Sequence, residues 1–167
     1  MKIGNAGSDN VNLLFSDQYT YRNEDYVVSQ AGSFTYGIQR TGGASAYSYI
    51  GLWNPSGSGV TLIADEYAVS VDTVGVFHLG MMSVTMATDE GNGTNNLLGG
   101  MSSKGVCYSD QIATHLGDII TKFFIQGCSP YTKRMNYGYI IPEETGLYLG
   151  NTNINDGLTG EFRWREI

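Results

Sequence analysis

From Phe34 onward the chain is a succession of short stretches rich in Tyr, Val, Ile, Thr and Phe, each cut off by Gly, Asn, Ser or Pro. Apolar residues almost nowhere recur at the three-to-four spacing of a helix, so these stretches read as strands that must pair with one another. Their β-branched and aromatic residues suit a pleated, half-buried surface. Segments near 34–39, 46–53, 60–73, 75–88, 105–108, 118–126, 135–141, 146–150 and 158–166 give eight or nine strands. The expectation is an all-β fold, a single jelly-roll-like β-sandwich of about eight antiparallel strands over residues 31–167. An immunoglobulin-type sandwich competes, but it needs only about 100 residues and a Cys, Trp, Cys spacing that is missing here.

In 60–73, Ile63, Tyr67, Val69 and Val71 fall on one face of an extended chain and Val60, Leu62, Ala64 and Ala68 on the other, which predicts a strand covered on both sides. The apolar phase reverses between Phe77, Leu79, Met81 and Met82, Val84, Met86, which predicts a β-bulge around Gly80 to Met82. Asp72-Thr73-Val74-Gly75 between them reads as a tight turn closing a long hairpin. Residues 89–104, DEGNGTNNLLGGMSSK, read as the longest surface loop. Ser109-Asp110-Gln111 is placed to cap one helical turn carrying Ile112, Leu116 and Ile119. Ile119, Thr121, Phe123 and Ile125 alternate against Asp118, Lys122 and Gln126 as a half-buried strand. At the end of the chain Phe162 and Trp164 oppose Glu161, Arg163 and Arg165 in a strand expected to dock into the sheet. Residues 1–30 differ, mixing Asn, Ser, Asp and Tyr around Val11, Leu13, Leu14 and Phe15, and read as an extended N-terminal arm.

Charged residues make up only 15% of the 167 residues, against roughly 25% in ordinary soluble domains, while glycine reaches 23. A surface so poor in charge suits a protein packed beside neighbours, and equally a weakly charged secreted-looking domain. Nine scattered Lys and Arg in a chain of net charge −7 argue against nucleic acid as a partner. No apolar run approaches the roughly 18 residues of a membrane helix, and the start of the chain lacks an apolar signal core, so no membrane partner and assembly in a cytoplasm are expected. Cys107 and Cys128 are too few for a disulfide framework and lack zinc spacing, and a bridge between them stays open.

A search for chemistry finds no catalytic residues, no metal ligands and no cofactor site, and the chain is expected not to be an enzyme. His78 and His115 stand in no HxH, HExxH or HxxxD pattern and read as structural. The turn Asn54-Pro55-Ser56-Gly57-Ser58-Gly59 has the glycines of a phosphate-binding loop but not its Lys-Ser/Thr or its helix, and it fails as a nucleophile elbow, so it reads as a tight turn. The pairs Glu24-Asp25, Asp65-Glu66, Asp89-Glu90 and Glu143-Glu144 point alternately if extended, which leaves little for a hydrolase that needs two carboxyls about 5–9 Å apart. Residues 89–96 offer oxygen ligands but miss the pattern of a calcium loop. Twelve tyrosines favour recognition surfaces, and also simply suit strands.

The stretch YIGLWNPSGSGVTLIADEYAVSV at 49–71, carried by Leu52, Asn54, Pro55, Gly57, Ser58, Gly59, Val60, Leu62 and Val69, together with the closing Phe162-Arg163-Trp164-Arg165-Glu166, resembles small structural proteins of tailed bacteriophages. It departs from them at Val60, where Lys or Arg is more usual. The resemblance implies a jelly-roll capsid decoration (cement) protein on the virion exterior, without cofactor, whose partners are the major capsid protein and itself as a homotrimer. Val11, Leu13, Leu14, Phe15, Tyr19 and Tyr21 of the arm would be the partner-binding residues. The alternative reading is a receptor- or glycan-binding module of a head fibre or tail, motivated by the tyrosines and the 89–104 loop.

Overall fold

The computed structural model describes residues 32–96, 102–116, 118–126 and 130–167, so the arm expected over 1–30, with all six of its partner-binding candidates, lies outside the described residues. The described residues form eleven strands: β1 (Ser33–Arg40), β2 (Tyr47–Asn54), β3 (Leu62–Val71), β4 (Gly75–Met82), β5 (Thr88–Asn92), β6 (Thr94–Asn95), β7 (Val106–Ile112), β8 (Ile119–Ile125), β9 (Tyr131–Ile141), β10 (Thr145–Asn151) and β11 (Leu158–Glu166). They make two antiparallel sheets, a first of order β6-β1-β11-β3-β9 and a second of order β5-β7-β2-β10-β4-β8. The fold is an all-β sandwich. Its pairings nest, β1 with β11, β2 with β10, β3 with β9 and β4 with β8. That is the order obtained by winding one long antiparallel ribbon into two layers. The remaining strands, β5 to β7, lie in the connection from β4 to β8 and widen both sheets at one side.

The core fills the space between the layers. Phe34, Ile38, Leu62, Tyr67, Val69, Phe162 and Trp164 of the first sheet meet Ile50, Leu52, Phe77, Leu79, Leu147 and Leu149 of the second, all 4% exposed or less. As expected from its alternation, β11 is docked, pairing with both β1 and β3.

The strand expected to be covered on both sides is instead covered on one. The pairing of β3 skips Asp65, so Leu62 and Ala64 before the irregularity and Tyr67, Val69 and Val71 after it all face the core. One extra residue inverts the phase of everything beyond it, which makes a single apolar face look like two.

The expected long hairpin of 60–73 with 75–88 does not form either. β3 is taken by β11 and β9, and β4 by β10 and β8, so Asp72 to Val74 cross from one sheet to the other. That crossing is tied down by Thr73, whose Oγ1 donates to Asp156 Oδ2 at 2.7 Å, and by Asn153 Nδ2 donating to the Val74 carbonyl at 3.1 Å. A register shift does occur at Leu79/Gly80, but on the side of β8, and pairing with β10 runs unbroken through Met82. The shift turns Ile119 to the outer face opposite Gly80, where it is 41% exposed, instead of inward. The helical turn expected after Ser109 is strand: β2 pairs with Ser109, Asp110, Gln111 and Ile112 and supplies the backbone partners a helix would have needed. The 89–104 stretch carries β5 and β6, not an uninterrupted loop.

Candidate functional site

The outer face of the second sheet is built as a checkerboard of large side chains and glycines. Cross-strand rows run Tyr108–Gly51–Tyr148–Gly80–Ile119 and Asp110–Tyr49–Gly150–His78–Lys122, with Trp53–Gly146–Met82 beside them. Each glycine is where a neighbouring side chain lies down. A Cβ on Gly80 would stand 2.3 Å from the Tyr148 ring, and one on Gly150 2.3 Å from Tyr49 and 2.9 Å from His78 Nε2. Tyr49, Trp53, Met82, Met86 and Tyr148 thereby form a second apolar cluster outside the sandwich, against which Tyr47, Tyr108, Ile112 and Leu116 pack. This consumes much of the tyrosine excess as structure.

The connection from β7 to β8 caps this face, and it brings together two histidines that sit far apart in the sequence. The His115 ring stacks on Tyr47 at 4.0 Å between centroids and stands edge-on to His78 at 5.4 Å. Tyr49 Oη accepts from the Leu116 N–H at 3.3 Å and lies within hydrogen-bond distance of His115 Nδ1, at 3.0 Å. Tyr148 Oη donates to the Leu116 carbonyl at 3.0 Å. His78 is 1% exposed and neither ring nitrogen has a hydrogen-bond partner. Burial, then His115 and Lys122, push its pKa down to about 4, so it is neutral at physiological pH. Burial pushes Tyr49 up to about 12, which keeps it a hydroxyl donor and no base. The cluster is closed to a substrate but can respond to protons.

Beside it lies an edge. Among the described residues β8 pairs only with β4, and its sequence IITKFFI has one charge, Lys122. Among the described residues, seven of the ten exposed large hydrophobics, Val74, Val76, Met81, Val84, Ile119, Ile120 and Phe124, lie on β4, β8 and their flanks, with Phe124 62% exposed directly opposite Val76. Native sheets normally blunt an edge with charges, bulges or brevity. The opposite edge, β5, does so with five residues that include Asp89 and Glu90. The β8 edge is hydrophobic, and none of the described strands pairs with its outer side. The inward alternation of Phe123 and Ile125 was legible in the sequence, while Ile120 and Phe124 on the other face were the overlooked signal.

The other candidates resolve into structure. The 54–59 turn does cradle an anion, but it is the chain's own: Glu143 accepts from the Gly59 N–H at 2.8 Å, the Gly57 N–H at 3.2 Å and Ser58 Oγ at 3.3 Å, and these bonds lower its pKa. Asp65 and Glu66 do not alternate, because the skipped residue sets both on the outer face of the first sheet. There Arg165 grips Asp65 through Nε and Nη2 at 2.7 and 2.9 Å, while Glu66 lies 3.4 Å from Arg134 and 3.7 Å from Arg163. Asp89 caps the Gly91 N–H, and Glu90 accepts from Ser109 Oγ. Among the described residues no three His, Cys, Asp or Glu side chains converge as around a metal ion. Cys107 is a free thiol in the core and burial pushes its pKa up. A shallow trough of about 390 Å³ crosses the outer face of the first sheet between Gly37, Ala68, Ser70 and Thr159, and no aromatic ring lines it.

Comparison with known proteins finds no matching family model, no matching curated protein and no matching solved structure.

Proposed function

We propose that this chain is a structural virion protein, a capsid decoration or cement protein that binds the outside of a phage head as a homotrimer and ties neighbouring capsomers together. The observation that carries the reading is the hydrophobic β8 edge, a surface built to be covered by something other than water. The sandwich fold, the sparse charge and the resemblance of residues 49–71 and 162–166 support it. In this reading the β4–β8 edge meets the major capsid protein, and the arm residues Val11, Leu13, Leu14, Phe15, Tyr19 and Tyr21 add a second contact. Burial of such side chains contributes about 25 cal/mol per Å² of apolar surface, and repetition over a shell adds the contacts by multivalency.

The test is co-sedimentation with preformed heads lacking the chain, using native protein and Phe124→Glu. Phe124 is exposed, so the folded sheet should tolerate the change. The expected result is a loss of apparent affinity of at least about tenfold, as for a residue at the centre of an interface. Undiminished binding would remove the edge from the interface, and no binding by the native chain would remove the virion reading itself.

A further inference from the structure

We propose that the buried, unpartnered ring of His78 makes the 113–116 cover over the second sheet an acid-released latch. This holds whatever the chain binds. The cover is fastened by few bonds, and two of them pass through one atom, Tyr49 Oη, which accepts from the Leu116 N–H and is hydrogen-bonded to His115 Nδ1.

His78 lies directly under this cover, its ring edge-on to His115 at 5.4 Å between centroids. The groups facing it are Tyr49 from β2, Tyr148 from β10, Lys122 from β8 and His115 from the cover, with Asp118 close enough to Tyr148 to raise that hydroxyl's pKa. None of these accepts a bond from either His78 nitrogen. A proton on the buried ring therefore has no partner and two neighbouring cations or potential cations, and the direct way to solvate it is to lift the cover. Burial holds the His78 pKa down to about 4 while the cover is closed, whereas an exposed ring returns toward 6.5, so acid favours the open state. Opening lays bare Tyr49, Tyr148, Met82 and Met86 while the core between the sheets stays closed.

The experiment is amide hydrogen exchange on the full chain at about pH 7 down to about pH 4.5, with Leu116 as reporter and the core amides of Ile50 and Leu149 as reference. One linked proton changes the opening equilibrium by up to about tenfold per pH unit. After correction for intrinsic rates, protection at residues 113–116 should fall relative to the core by about that much. His78→Leu and His78→Asn each remove the buried titration and should flatten the dependence. Protection that stays constant with pH in the native chain, or an equal fall in either variant, would overturn the latch. Either variant decides alone if the other does not fold.

Discussion

The two sheets share one core and treat their other faces in opposite ways. The first leaves its outer face to water and covers it with side chains that pair across strands, Arg165 with Asp65 and Arg163 with Glu66 and Glu161. The second carries rings and methionines over glycines, covers them with its own loops, and leaves one edge, β8, unpaired among the described strands. The difference teaches where glycine is structural. On the outer face of the second sheet Gly80 and Gly150 are the space a ring occupies; on the first sheet Gly160 makes room for Ile50 on the core side, whereas Gly37 has nothing within 4 Å of the position of a Cβ.

That contrast breaks most readily with acid. His78 has a folded-state pKa of about 4 against an ordinary 6.5, so the unfolded chain binds more protons between those values. The stability it confers is complete above pH 6.5, declines as pH falls, and is gone near pH 4, a change on the order of 3 kcal/mol. Denaturant midpoints measured across that range for the native chain and His78→Leu should diverge accordingly. Next in size is Gly150→Ala, which forces Tyr49 and His78 apart in a packed layer and should cost about 2 kcal/mol in the same assay. Smallest, and of opposite sign, is Gly37→Ala on the open face. There the added methyl meets nothing and reduces the freedom of the unfolded strand, so a gain of about 0.5 kcal/mol is expected. Equal costs at the two glycines would erase the distinction between the faces.

Much of the frame was legible because alternation survives wherever a strand is regular. The contrast of Phe162 and Trp164 with Glu161, Arg163 and Arg165 places β11 at the centre of its sheet, and both aromatic residues are fully buried. Legibility failed at irregular residues. Asp65 split one apolar face into two, and the extra residue at Ile120 turned Ile119 outward. It failed also where partners are remote: the apparent 72–75 hairpin turn is overruled by β11 and β10, which no local pattern encodes, and the cap at Ser109 by β2. His78 and His115 each look ordinary along the chain, and only the nested pairing of strands sets them together. The edge was half visible, since IITKFFI is too apolar on both faces for a strand with one covered side.

The central claim, that this chain acts by its β8 edge on the outside of a phage head, is tested most directly by a density map of an intact particle carrying it. The account predicts the sandwich on the shell exterior with Phe124 and Ile120 against the capsomer surface. Density in the tail, no density on the particle, or a head-bound sandwich whose β8 edge faces solvent would contradict it.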